Sequence, residues 1–235
     1  MNSSAPSSNS PRPSIPARLH DAPTAQGLAI PFLTLCHRGR TSPVWGAIDP
    51  ERYALVLGLR LCQVCGEDLG SGHGPSQQVV VFVRPQDWVR GVGPGVEINP
   101  ECAAYSTRAC PMLAGRMPTY RSNAIAARIT PCDDPQCDCR QWTPPDSESE
   151  ESQRAGKPAD PWYSMLIDAR DYQIVHYRGD ESEPSGYGVT LRGIQVLRLR
   201  KVRGTAEHER TVLDVLAAAL DLTRLTHRRW PDRDR

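Results

Sequence analysis

Phenylalanine and lysine are nearly missing from this chain. Of its 235 residues only two are phenylalanine, so phenylalanine packing is not available to hold a large core. Lysine occurs only at Lys157 and Lys201, and the remaining basic residues are arginines. Arginine codons are GC-rich and lysine codons AT-rich, which points to a high-GC bacterial genome. A dominant charge is missing as well: 28 basic and 27 acidic residues leave a net +1. Such balance provides no global field to attract DNA or an anionic membrane, so any nucleic-acid contact must come from a local patch. No run approaches the ~20 apolar residues that span a bilayer. The N-terminal stretch MNSSAPSSNSPRPSIPARLHDAPTAQGL lacks the apolar core of a secretory signal. The expected compartment is the cytoplasm, with no membrane association.

Cysteine, by contrast, is plentiful, with eight in the chain. In a reducing compartment, clustered cysteines serve as metal ligands more often than as disulfides. Cys62 and Cys65 stand in LCQVCGEDLG, followed at once by Gly66. A Cys-x2-Cys-Gly turn brings two thiolates to one point, and the glycine lets the backbone curl so that its N–H groups face sulfur. Tetrahedral zinc then needs two further ligands, usually from a distant segment. A redox dithiol should lead from a strand straight into a helix, and EDLGSGHGPS does not read as one. Cys102, at the start of the short helix expected over Glu101–Ala109, is the third candidate ligand. Knuckle, hairpin and helix in that order make a treble-clef arrangement. For the fourth ligand the candidates are Cys110, Asn99, Cys36, His37 and His73. Eight helical residues span ~12 Å, so Cys110 joins Cys102 on one metal only if the helix is interrupted. A second candidate site is PCDDPQCDC, with thiols at Cys132, Cys137 and Cys139 and with Cys36 and Cys110 as spare thiols.

The two stretches LCQVCGEDLG and NPECAAYSTRACPML resemble an uncharacterised actinobacterial and actinophage family. Its members show Cys-Trp-x-Cys-Gly and then His-x2-Cys-Ala-x-Tyr-x3-Ala-Cys-Pro-Phe-Leu. Cys62, Cys65, Gly66, Cys102, Ala103, Tyr105, Ala109, Cys110, Pro111 and Leu113 carry the match. It spans residues 43–122, with a fainter echo at 204–222. Asn99 stands where the family has histidine, and Gln63-Val64 replaces its Trp dipeptide. The resemblance implies a zinc-binding module and no particular activity.

Composition divides the chain into a proline- and serine-rich tail (1–28) and a cysteine-rich segment (29–143). An acidic linker or long loop (144–161), a sheet with a C-terminal helix (162–227) and a charged tail (228–235) follow. The tail and the linker are too polar to offset the entropy of ordering and are expected to be disordered. Strands are expected at Ile30–Cys36, Tyr53–Leu61, Gln78–Val83, Trp162–Ile167, Tyr172–Tyr177 and Gly193–Val202. The DARD after Ile167 suits a tight turn. A helix is expected over Ala206–Leu225, capped by Thr205, with Val212, Val215, Leu216, Ala219 and Leu222 on its inner face. The fold class is therefore α+β: a treble-clef-like knuckle segment and a small antiparallel sheet packed by the last helix.

No His-Glu-x2-His, Gly-x-Ser-x-Gly or Walker loop is present. The functional expectation is a zinc-stabilised, non-enzymatic binding or accessory protein whose partner is a macromolecule, a protein in preference to nucleic acid. A treble-clef His-Asn-His nuclease is the alternative, but no histidine lies between His73 and His176, where its base would stand. A thiol redox sensor at Cys132–Cys139 is the second alternative, opposed by the acidic neighbours, which would raise the thiol pKa values.

Overall fold

The structure, a computed structural model, describes residues 12–69, 77–93, 97–122, 129–142, 153–177, 186–204 and 210–228, with backbone alone for 221–228. It is a mixed α and β arrangement of small antiparallel sheets. Two short hairpins open the chain, β1 (Thr24–Ala25) with β2 (Leu28–Ala29), and β3 (Thr34–Cys36) with β4 (Pro43–Ile48). Helix α1 (Pro50–Leu59) follows, then β5 (Gln78–Val83), α2 (Pro85–Arg90), β6 (Val92–Gly93) and α3 (Pro100–Ala109). The last part holds β7 (Trp162–Asp168), β8 (Ile174–Tyr177), β9 (Gly186–Thr190), β10 (Val196–Arg203) and the C-terminal helix α4 (Val212–Arg228).

The central sheet has the order β10-β7-β5. Its register pairs Val79 with Ile167, Val81 with Met165 and Val83 with Tyr163. All six side chains are fully buried, as the two-residue period of a strand with one covered face requires. Strand β5 precedes the acidic stretch and β7 follows it, so the two segments share one sheet. A bridge between Val80 and Ile98, with N–H···O distances of 2.9 and 3.0 Å, holds the entry to α3 against β5. Cys62, Cys102, Ala103, Tyr105 and Leu213 belong to the same core as the sheet. A second sheet has the order β6-β9-β8.

Several expectations need correction. Residues 53–61 were expected as a strand, and 53–59 are helical. The Asp49 carboxylate accepts the N–H groups of Glu51 and Arg52, and Pro50 occupies the first helical turn. That is an N-cap, and it outweighs the β-leaning run YALVLGLRL. Arg60, at φ 53°, ends the helix in the left-handed region. Of residues 30–36 only Thr34–Cys36 form a strand. The DARD after Ile167 holds a short 3-10 turn, Ala169–Asp171, capped by Asp168. The strands on either side of it enter different sheets rather than pairing with each other.

The last helix starts at Val212, not near residue 206. Thr211 and Asp214 cap it reciprocally: Thr211 N–H donates to the Asp214 carboxylate at 3.0 Å, and Asp214 N–H to the Thr211 hydroxyl at 3.2 Å. The expected cap, Thr205, lies outside the described residues. Its buried face also differs from expectation. Leu213 is fully buried, with Leu216, Ala217 and Leu220 packed beside it, whereas Val212 and Val215 are about half exposed.

The N-terminal stretch expected to be disordered is folded over 12–28. Leu19 is buried in the main core. Residues 144–152 of the acidic stretch lie outside the described residues, but its end is packed. Tyr120 N–H donates to Lys157 O at 2.9 Å, Ala159 N–H donates to Pro118 O at 2.9 Å, and Ala159 is buried.

Two candidate metal centres

The knuckle forms as a tight hairpin closed by the Leu61–Asp68 bridge. Cys62 N–H donates to Glu67 O and Gly66 N–H to Cys62 O, both at 2.8 Å. Gly66 has φ +77°, and a Cβ built there would stand 2.6 Å from the Phe32 ring. Glycine is thus required twice, for the left-handed turn and for the approach of Phe32. Arg60, at the mouth of this hairpin, donates to Ala169 O at 2.6 Å and pairs with buried Glu97 at 3.3 Å. The knuckle is thereby tied to the end of β7.

Helix α3 brings the third sulfur. Pro100 takes the first turn, and the Asn99 side chain accepts the Glu101 N–H. This fixes Cys102 in the first turn, facing inward and fully buried. The sulfurs of Cys62, Cys65 and Cys102 lie within 4.8 Å of one another. Asn99 N–H donates to Cys62 Sγ at 3.3 Å, so this residue serves the group through its backbone while its side chain caps the helix. Arg18 closes the arrangement from the N-terminal segment. It pairs with Glu67 of the knuckle and, at 3.5 Å, with Glu101 of α3.

The three thiols are held as one electrostatic unit. Hydrogen bonds from Cys102 and Cys65 draw the pKa of Cys62 far below that of an ordinary thiol. Cys102 is pushed up by its hydrogen bonds to Cys62 and Cys65 and by burial. For Cys65 the bond with Cys102 lowers the pKa, but that with Cys62 and burial prevail and raise it to about 11. A divalent cation would let all three ionise together.

Cys110 is not part of this group. Helix α3 runs unbroken through Ala109, and Cys110 is its C-terminal cap residue, so the interruption that sharing would need does not occur. Cys36 donates to Thr34 O at 3.2 Å and joins neither group. His73 lies outside the described residues. Among the described residues no fourth Cys, His, Asp or Glu joins Cys62, Cys65 and Cys102.

The second group is complete. Cys132, Cys137 and Cys139 converge with His37, all four ligand atoms lying within 4.8 Å of one another. Cys132 Sγ is 3.6 Å from Cys139 Sγ, and Cys137 Sγ is 3.7 Å from His37 Nδ1. Two sulfurs on a tetrahedral zinc at ~2.3 Å would be roughly 3.8 Å apart, and a sulfur and a nitrogen slightly less. His37 is supplied by a turn much like the knuckle. Arg40 N–H donates to His37 O at 3.0 Å, Gly39 has φ +75°, and Arg38 N–H donates to Cys137 Sγ at 3.4 Å. Cys132 N–H donates to Cys139 Sγ at 3.3 Å. These N–H donors favour sulfur in its charged form.

The acidic neighbours were expected to raise these thiol pKa values. They do not do so at Cys137, which is lowered to about 6, chiefly by the Arg38 N–H. Asp134 is turned elsewhere, accepting from Gln136 N–H and pairing with Arg38 at 3.5 Å.

Sequence reasoning placed His37 only among candidates for the first group. The signal for its true position was slight: a His-x-Gly turn, ninety-five residues before Cys132. All eight cysteines are free thiols. Among the described residues no helix is long and apolar enough to cross a membrane. No protein-family model matches the chain, and no curated protein and no solved structure matches it either.

Proposed function

We propose that this chain is a non-enzymatic binding or accessory protein whose fold is held by two zinc ions. One observation carries the reading. Two groups of soft ligands each tie together segments far apart in sequence: 62–65 with 102, and 37 with 132–139. Three thiolates and an imidazole suit zinc better than magnesium or calcium, which take oxygen ligands. In the first group zinc would sit between the knuckle and the first turn of α3, as in a treble clef, with three protein thiolates and one further ligand. The likeness of its motif to the actinobacterial and actinophage family supports a zinc module there. In the second, His37, Cys132, Cys137 and Cys139 would fill the shell and leave no position for a reacting water.

A nuclease reading is less well supported. Asn99 spends its side chain on capping α3 and its backbone N–H on Cys62. His37 stands in the second group, and among the described residues no histidine joins the first. Macromolecular partnership with a protein, in a reducing cytoplasm, agrees with eight free thiols and a balanced charge. The test is incubation of the purified protein with plasmid DNA and magnesium, manganese or zinc. No cleavage is expected; cleavage that disappears in Cys62→Ser would overturn the proposal in favour of the nuclease.

A further inference from the structure

The two candidate centres differ in how firmly their sulfurs are packed. Cys62 and Cys102 are fully buried and belong to the main core with the central sheet. Cys102 is held in the first turn of α3, and Arg18 ties Glu101 of that turn to Glu67 of the knuckle. In the second group Cys132 stands in a loop and Cys139 in a short 3-10 turn, Asp138–Gln141. Cys132 is partly exposed, whereas Cys137 and Cys139 are buried. The core beside them has three buried residues, Leu35, Val44 and Ala47. A small oxidant in solvent thus meets one sulfur of this group with a second close behind it.

The partner of Cys132 is set by distance. Its sulfur is 3.6 Å from that of Cys139. A disulfide is ~2.05 Å long, so the two have to close by roughly 1.5 Å. A loop and a 3-10 turn yield that distance more readily than a sulfur fixed on an α-helix in a packed core. Cys137 is engaged elsewhere, its sulfur 3.7 Å from His37 Nδ1 and accepting the Arg38 N–H.

We propose that the second centre is a peroxide-sensitive switch, in which Cys132 and Cys139 form a disulfide and the zinc is released. The proposal rests on the two-zinc reading above. The Cys132 thiolate attacks one oxygen of hydrogen peroxide, the O–O bond breaks, and the leaving hydroxide takes a proton to become water. Cys132 is then a sulfenic acid. The Cys139 thiolate attacks that sulfur, the S–O bond breaks, and a second hydroxide takes a proton as the S–S bond forms. Each sulfur gives up one electron, and one peroxide becomes two waters. Cys137 and His37 then supply half of the ligands that tetrahedral zinc needs, so the ion leaves hydrated. The β3–β4 hairpin is no longer joined to residues 129–142 through an ion, and the small core between them opens to solvent.

The test treats the full, zinc-loaded chain with a small excess of hydrogen peroxide. Native mass spectrometry should show one zinc lost per chain, and peptide mapping a Cys132–Cys139 disulfide. Dithiothreitol with added zinc should restore the starting state. Hydrogen exchange in the β3–β4 hairpin should quicken at least tenfold, while β5 and β7 keep their protection. Equal zinc content in untreated wild type and His37→Ala would bring down the two-zinc reading, and the switch with it. Where wild type carries the additional zinc, four results would overturn the switch alone. These are zinc that stays bound under peroxide, loss of both ions together, a disulfide that includes Cys137, and release without faster exchange in the hairpin.

Discussion

At Gly66 a single hydrogen atom decides whether the knuckle can close. With φ at +77° and Phe32 at 2.6 Å from a would-be Cβ, alanine there meets both backbone strain and a ring that has to move. Gly66→Ala is expected to cost about 1–3 kcal/mol, read as a lower midpoint in urea. Gly39→Ala shares the left-handed φ but meets nothing within 4 Å, so it should cost about 1 kcal/mol or less. Asp214 is a second residue with a defined role. Burial alone would raise its carboxyl, but the Thr211 N–H and Lys201 at 3.0 Å prevail and hold it at about 2. A carboxyl lowered on folding gives stability that is present above its unfolded pKa and lost as pH falls through the folded one. Asp214→Asn should therefore destabilise by about 1 kcal/mol, and by the same amount from pH 5 to pH 9. A cost that changes across that range in paired urea melts would contradict the cap. Of these residue-scale features, the Cys-x2-Cys-Gly turn could be read from sequence because its chemistry is local. His37 could not, because only the folded chain brings it to Cys137.

At the scale of elements, sequence reading succeeded where period and caps agreed and failed where they competed. β5 and β7 alternate or run apolar between breakers, and both form. α3 carries Pro100 at its start and Cys110 and Pro111 at its end, and it forms over the expected residues. α1 was missed because Leu55 and Leu59, about half or more exposed, blur its period; Asp49 and Pro50 start the helix, and only Tyr53, Val56 and Leu57 turn inward, against Leu33. For α4 the apolar residues are dense enough to support more than one face, and the sheet selects Leu213 with Leu216, Ala217 and Leu220. Leu213→Ala should thus cost about 2–5 kcal/mol, whereas Val215→Ala should stay within about 0.5 kcal/mol. Equal costs in chemical denaturation would mean that the helix presents the other face.

Over the whole molecule, two groups of side chains placed to hold a metal ion would, on the zinc proposal, replace what a phenylalanine-poor chain lacks. The main core contains Cys62 and Cys102, so a metal ion in the first group would act where the sheet, α3 and the N-terminal segment meet. The second group sits beside a much smaller core of Leu35, Val44 and Ala47, with Ile129 and Trp142 against it. So small a core buries little apolar surface, and on the two-zinc proposal a bound ion would hold the β3–β4 hairpin to residues 129–142. Chelation should accordingly expose amides of the hairpin to hydrogen exchange before those of β5 and β7. Simultaneous exposure of both would show that the two centres act as one. The most direct measurement of the account is the zinc stoichiometry of untagged protein by native mass spectrometry. Two zinc ions per chain are predicted, falling to one in Cys62→Ser, to one in His37→Ala, and remaining two in Cys110→Ser. A chain that carries no zinc, or one that keeps two in both Cys62→Ser and His37→Ala, would contradict it.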